Sequence, residues 1–215
     1  MIKQLIFDLD NTLIDWLDTY YPFSVENTCK DLNLTSNYEE ILNIVINAMD
    51  SYENNYEYFT VENFVNSLNS NGNINFSKEF VEKLLYYFSC CVPNKVESKL
   101  IETLDYLHSK YELVVLTNWF EKYQVDRLEK TGLLKYFSHV YGTEKIKMKP
   151  DKEAFETAAG IFNLNECVMI GDNYNTDILG ALNAGMDAIY YNRRKNIVDS
   201  NITCINKFED LIELL

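Results

Sequence analysis

The amino-acid sequence predicts an α/β fold: a Rossmann-like core with a parallel sheet and helices on both faces, plus an inserted α-helical cap domain. Two observations predict the core. A β-rich apolar run opens the chain at residues 2–8, and from about residue 100 onward short apolar runs alternate with helical patterns. Such alternation implies parallel strands joined by crossover helices. A third observation predicts the insertion, because residues 16–92 carry helical periodicities and few strand signals.

Four helical patterns make up the insertion, at residues 25–32, 38–49, 61–68 and 78–88. Ser77 precedes the last of them and is expected to cap it, because a serine side chain accepts a hydrogen bond from the first helical turn. The loop at residues 92–95 ends the insertion. We therefore expect the core to comprise residues 1–15 and 93–215, and the cap to comprise residues 16–92.

Beyond the insertion, the alternation of strands and helices resumes. Strands are predicted at residues 111–118, 139–142, 167–172 and 186–192. Helical patterns lie at residues 99–110, 121–132, 149–162 and 176–185, and the tail at 207–215 completes the series. Gly132 and Gly185 are expected to end two of these helices, and Asp151 to cap a third.

Composition excludes several classes of protein. The 215 residues carry a net charge of −14, with a pI of about 4.5, so a nucleic-acid polymer is not an expected partner. No apolar run approaches the length of about 18 residues that a membrane span needs. The five cysteines form no CxxC pair, which favours free thiols in a reducing cytoplasm over a disulfide scaffold or a zinc site.

Polar residues follow the predicted strands at the point where each ends. Open α/β sheets bind ligands at the carboxyl ends of their strands, so these residues are candidates for one site. Lys149, which lies just before the helix predicted to open after Pro150, is a further candidate. The candidates in chain order are Asp8, Asp10, Thr117, Asn118, Lys149 and Asp172.

The motifs themselves resemble a known family. The stretches DLDNTLID, LTN, KP and GDNYNTD are similar, in order and spacing, to the four motifs of the haloacid dehalogenase-like hydrolase superfamily. The helical insertion after the first motif resembles the small helical cap of that superfamily. The resemblance spans essentially the whole chain and is specific at the level of the superfamily, but much less so for the substrate.

The resemblance implies a role for each candidate. Asp8 would be the nucleophile that forms an aspartyl-phosphate, and Asp10 the general acid and base. Mg²⁺ would be held by Asp8, the backbone carbonyl of Asp10 and Asp172. Lys149 would stabilise the charge of the transferring phosphoryl group. The Thr117 hydroxyl and the Asn118 backbone N–H would bind the same phosphate.

Several of these residues have simpler interpretations. Thr117 and Asn118 are also suited to ending a strand as capping groups. Lys145 and Lys147 neighbour Lys149, which we select because the family pattern places the functional lysine directly before proline. Asp177 is either an acceptor for metal-bound water or an acidic residue in the first turn of a helix, and the sequence leaves both open.

The predicted function is Mg²⁺-dependent hydrolysis of a small phosphorylated metabolite, a phosphate monoester. Asp10 disfavours haloalkanoate dehalogenation, since dehalogenases of the family lack that acidic residue. A sugar-phosphate mutase is disfavoured because mutases use a cap histidine, whereas His108 and His139 fall in the core. Lys30, Lys78 and Lys83 of the cap have no context that indicates phosphonate chemistry. The mutase and a catalytically idle binding or regulatory protein remain alternatives.

Two features bear on the substrate. The stretch TDILGALNAGMDAIYYN resembles the corresponding region of pyrimidine 5′-nucleotidase-like phosphatases, so a nucleoside monophosphate is a candidate substrate. The cap is also rich in aromatic residues, one or two of which would stack on a base, although a stripe of this kind more often forms the cap core. These aromatics include Tyr52, Tyr56, Tyr58, Phe59, Tyr86, Tyr87 and Phe88.

Overall fold

A computed structural model describes residues 1–55, 57–196 and 200–215. Within those residues, six strands form one parallel sheet in the order β3-β2-β1-β4-β5-β6. The strands are β1 (Gln4–Phe7), β2 (Glu112–Leu116), β3 (His139–Tyr141), β4 (Cys167–Gly171), β5 (Asp187–Tyr191) and β6 (Thr203–Ile205). The predicted parallel α/β fold is confirmed. The three-residue strand β6, at the edge of the sheet, was not predicted from the sequence.

Among the described residues, the insertion that follows β1 contains four α-helices. They are α1 (Tyr20–Asp31), α2 (Tyr38–Asn55), α3 (Val61–Ser70) and α4 (Lys78–Ser89). Ser77 caps α4 as predicted, its side chain accepting a hydrogen bond from the Phe80 N–H. The prediction for α1 began five residues too late. Pro22 stands in the first turn of this helix, where a proline is tolerated because its missing N–H would have no helical partner.

These four helices share an apolar cluster of their own. Fully buried side chains such as Val25, Val45 and Leu84 form its centre. Trp119 and Phe120, which follow β2, also belong to this cluster. The insertion is therefore held against the sheet by aromatic packing, directly above the end of β2.

The remaining α-helices are α5 (Ser98–His108), α6 (Glu121–Lys130), α7 (Lys152–Ala159), α8 (Gly180–Ala184) and α9 (Leu211–Leu214). Successive side chains of a strand point to opposite faces. Leu5 and Phe7 thus pack with α5, α6 and α9, whereas Ile6 packs with α7 and α8. Helices cover both faces of the sheet, as predicted.

The predicted helix stops at Gly132 and Gly185 and the predicted cap at Asp151 are confirmed, but the helix predicted around residue 176 is not continuous. Gly132 and Gly185 adopt positive φ angles of 72° and 95° after α6 and α8, and Asp151 caps α7. The predicted continuous helix at 176–185 is instead a π-helical segment, Tyr174–Leu179, followed by the short α8. Gly180 begins α8 at a close approach to Pro150, where an added Cβ would lie 2.8 Å from the proline ring.

Among the described residues, no helix is both long and apolar enough to span a membrane. All five cysteines are free thiols.

Candidate active site

Three adjacent strands at the centre of the sheet end in site residues. The parallel register pairs Phe7 of β1 with Val115 of β2 and Ile170 of β4. The residues that follow these strands therefore meet at one edge: Asp8 after β1, Thr117 after β2 and Asp172 after β4. They line a cavity of about 480 Å³, a volume within the range of small-molecule sites.

Lys149 is buried in this cavity between two carboxylates. Its side chain is 2% exposed, and its Nζ donates to Asp8 Oδ1 at 2.8 Å and to Asp177 Oδ1 at 2.7 Å. Lys147 instead forms ion pairs with Asp151 and Glu153 outside the cavity. Of these two lysines, the one that directly precedes proline is the one at the site.

The electrostatics of the cavity show an excess of negative charge. Burial raises the pKa of the Asp8 carboxyl well above its usual value, and the Asp177 charge raises it further, against the opposing effect of Lys149. Burial together with Asp177 raises the pKa of Asp172 to about 6. Burial alone would lower the pKa of Lys149, but the carboxylates of Asp177 and Asp8 hold it above its usual range. One ammonium group thus faces three carboxylates.

Those carboxylates form the candidate metal site. Oxygen atoms of Asp8, Asp172 and Asp177 all lie within 4.8 Å of one another. Asp177 is engaged elsewhere on both oxygens, by Lys149 on Oδ1 and by the Asn173 backbone N–H on Oδ2 at 3.0 Å. Asp8 and Asp172 are therefore the carboxylates best placed to receive a cation. The Asp10 carboxylate points to α6, away from this group.

Asp177 is 1% exposed and stands in the first turn of the π-helical segment, as one of its two interpretations from the sequence has it. Its position depends on Gly171, where an added Cβ would lie 2.2 Å from Asp177 Oδ2. The glycine before Asp172 is thus required by the neighbouring carboxylate. The sequence left two roles open for Asp177, and the structure places it as the buried partner of Lys149.

Asn118 holds the backbone of Lys149. Its Nδ2 donates to the Lys149 carbonyl and its Oδ1 accepts from the Lys149 N–H, both at 2.8 Å. The family resemblance assigns a role to the backbone N–H of Asn118, and the sequence contained no indication of this role of its side chain. The paired bonds fix the loop from which the lysine side chain enters the cavity.

Two further residues at the site were missed by the sequence analysis. Gln124 and Arg127 of α6 are fully buried and both contact the Asp10 carboxylate, and Gln124 also contacts Thr117. A signal existed in the sequence, because both lie on the α6 face that also buries Tyr123 and Leu128. A glutamine and an arginine at core positions need partners, and those partners are the site residues.

Aromatic side chains form the wall of the cavity nearest the insertion. They are Trp16, Tyr21 and Trp119. Of the cap aromatics singled out from the sequence, Phe59 and Phe88 are buried in the insertion core, as the structural interpretation favoured, and Tyr86 is 53% exposed. Tyr56 and the Tyr52 side chain lie outside the described residues. The wall is therefore built from residues that the sequence analysis did not select.

Buried charges of both signs at the carboxyl ends of an open parallel sheet are typical of the active site of an α/β enzyme. A family model for haloacid dehalogenase-like hydrolases matches residues 5–191, and the chain belongs to that family.

Known proteins similar to this chain include several phosphatases. The chain is 28% identical to a pyrimidine 5′-nucleotidase of Streptococcus pneumoniae, over 99% of this chain and 94% of that protein. It is 27% identical to the human N-acylneuraminate-9-phosphatase, over 92% of this chain and 85% of that protein. Among solved structures, a magnesium-bound putative HAD-hydrolase of Bacillus subtilis superposes with a TM-score of 0.73 at 21% identity, covering 99% and 98% of the two chains.

Proposed function

We propose that this phosphoric monoester hydrolase acts on a small phosphorylated metabolite through an aspartyl-phosphate on Asp8, with Mg²⁺ as its cofactor. The observation that carries the proposal is the contact of the Asp8 carboxylate with a buried lysine at 2.8 Å, beside Asp172. A carboxylate approaches a phosphate dianion only where fixed positive charge offsets the repulsion. Lys149 supplies part of that charge from a position that solvent barely reaches.

The chain's own residues account for both half-reactions. The Asp8 carboxylate attacks phosphorus, and the ester P–O bond breaks as Asp10 gives its proton to the leaving oxygen. Thr117, the Asn118 backbone N–H and Lys149 hold the phosphoryl oxygens during this transfer. Asp10, now ionised, then takes a proton from water as that water attacks phosphorus and releases Asp8.

The donor set fits Mg²⁺. Three carboxylates around one ammonium leave net negative charge, and burial together with the charge of Asp177 raises the pKa values of Asp8 and Asp172. A hard divalent cation prefers oxygen ligands of this kind. Asp8, Asp172 and the Asp10 carbonyl would hold it. Bound there, it would stabilise negative charge on the phosphoryl group.

The insertion, residues 16–92, acts in this proposal as a cap over the core formed by residues 1–15 and 93–215. The position of Trp16 and Tyr21 on the cavity wall supports this division, because the insertion then contacts whatever group the phosphate carries. Closure of the cap would exclude water during the first half-reaction. Five free thiols support action in the cytoplasm.

A nucleoside monophosphate is the substrate class we favour. The similarity to a pyrimidine 5′-nucleotidase extends over 99% of this chain. The aromatic wall of Trp16, Tyr21 and Trp119 adds support, since aromatic rings stack on planar bases. Sugar phosphates belong in the same comparison, because the similarity to N-acylneuraminate-9-phosphatase covers 92% of the chain.

The test is phosphate release from nucleoside monophosphates, sugar phosphates and an aryl phosphate, each with Mg²⁺ and with chelator. We expect Mg²⁺-dependent release that is lost in Asp8→Asn, with pyrimidine monophosphates turned over fastest. Asp187→Asn is the matched control, because Asp187 is exposed and begins β5, at the amino ends of the strands and opposite the end that carries the cavity. Release that persists in Asp8→Asn would refute the proposed nucleophile.

A further inference from the structure

The carboxylate of Asp10 and the hydroxyl of Thr117 are joined by one side chain, that of Gln124. Its Nε2 donates to Asp10 Oδ2 at 2.7 Å and to Thr117 Oγ1 at 3.0 Å, and its Oε1 accepts from Arg127 at 2.8 Å. Gln124 and Arg127 are both fully buried. Every hydrogen-bonding atom of the Gln124 amide therefore has a partner within the site.

The orientation of this amide is determined by its partners. A guanidinium only donates hydrogen bonds, so Arg127 must face the carbonyl oxygen of Gln124. The NH₂ group of Gln124 must therefore face Asp10 and Thr117. The reversed amide would place two donors together at Arg127.

This orientation has a consequence for Thr117. A hydroxyl has one proton to donate and two lone pairs that accept. Because Thr117 Oγ1 accepts from Gln124, the hydroxyl proton remains available for a phosphate oxygen. The NH₂ group of Gln124 that orients Asp10 thus also orients the phosphate-binding hydroxyl of Thr117.

Arg127 is poorly explained by a structural role. Its side chain is fully buried, and its Nε and Nη2 have no hydrogen-bond partner among the described residues. A buried cation with unpartnered donors is costly, and well-packed apolar residues often serve stability better. The contacts Arg127 does make are with Asp10, with Gln124 and with the face of Trp16, 5.2 Å from its ring centre.

We infer that Gln124 is a positioning residue of this enzyme: it fixes the Asp10 carboxylate and the Thr117 hydroxyl relative to each other, while Arg127 fixes the orientation of Gln124. The inference rests on the proposed function. Proton transfer to a leaving oxygen requires the acid within hydrogen-bond reach of that oxygen, so a displaced Asp10 protonates it slowly.

The test compares two esters with the same enzyme preparation. An alkyl phosphate has a poor leaving group that needs the proton, whereas p-nitrophenyl phosphate has a good one that does not. In Gln124→Met we expect kcat/KM for the alkyl ester to fall about tenfold or more relative to kcat/KM for the aryl ester, because kcat/KM reports only the steps up to departure of the leaving group and not the later attack by water. The ratio of the two rates is independent of how much enzyme is correctly folded.

Two further variants make the test specific. Gln124→Glu keeps the shape of the side chain but replaces the NH₂ donor with an oxygen, and should change the ratio in the same direction. Gln4→Met is the matched control, because Gln4 is also a buried glutamine but begins β1, at the amino ends of the strands and opposite the end that carries the site. An equal loss for both esters, or no loss, would overturn the inference alone. A wild-type enzyme that hydrolyses neither ester would overturn the proposed function as well.

Discussion

Replacement of Asp172 by asparagine should stabilise the metal-free protein while removing its response to Mg²⁺. The Asp172 carboxyl has a pKa of about 6 in the folded chain, against 3.8 for an unperturbed aspartate, because burial and the Asp177 charge disfavour its ionised form. The folded state therefore holds this proton more tightly than the unfolded state does. Asparagine has nearly the same shape and carries no charge.

The magnitude follows from the difference between those two pKa values. A difference of about 2 corresponds to about 3 kcal/mol, and solvent screening of a partly exposed group reduces this to about 1.5 kcal/mol. Because the folded pKa lies above the unfolded one, wild-type stability falls as the pH rises from about 4 to about 6. Above that window the penalty is complete, so the gain from Asp172→Asn is largest there.

Thermal unfolding in chelator at pH 8 and at pH 4 measures this gain. At pH 8 the midpoint of Asp172→Asn should exceed that of the wild type by about 3–6 °C, and at pH 4 the two should nearly coincide. Added Mg²⁺ should raise the midpoint of the wild type only. Asp187→Asn removes an equal charge at an exposed position and should show neither effect. A gain independent of pH, or a loss at pH 8, would refute the reasoning.

Two more substitutions test the buried charges. Lys149→Met leaves the site carboxylates without their cation, so kcat should fall about 10³-fold or more and the free energy of unfolding by about 3 kcal/mol. The control Lys147→Met, on the surface, should change the free energy of unfolding by less than about 1 kcal/mol. Equal effects of the two substitutions would contradict the assignment of Lys149 to the site. Gly171→Ala forces Asp177 away from Lys149, because the new Cβ would lie 2.2 Å from Asp177 Oδ2. We expect kcat to fall at least about tenfold and the free energy of unfolding to fall by about 1–3 kcal/mol. An unchanged kcat in Gly171→Ala would show that the Lys149–Asp177 contact does not serve the reaction.

The sequence predicted the residues that stand at strand ends because parallel strands bring those ends to one edge. Asp8, Thr117 and Asp172 each follow a buried strand directly, so their meeting depends only on the order of the strands. Lys149 was selected over Lys145 and Lys147 because the family pattern places the functional lysine directly before proline. Local patterns therefore suffice wherever the backbone itself carries a residue to the site.

Contacts that depend on packing between distant segments escaped the sequence. Gln124 and Arg127 are separated from Asp10 by 114 and 117 residues of chain. Their contact with Asp10 becomes evident only when the position of α6 against the sheet is known. The aromatic wall is similar, because Trp16 begins the insertion and Trp119 follows β2 of the core, yet their ring centres lie 5.9 Å apart. Periodicity indicates which residues are buried but not which partners they find.

A trapping experiment tests the central claim, attack by Asp8, most directly. The enzyme is mixed with substrate and Mg²⁺, quenched during turnover and treated with borohydride, which reduces an aspartyl-phosphate to homoserine. Peptide mass spectrometry then locates the reduced residue. We predict homoserine at position 8, dependent on substrate and absent without it. Hydrolysis that proceeds with no reduced aspartate, or with the reduction at another residue, would contradict the account.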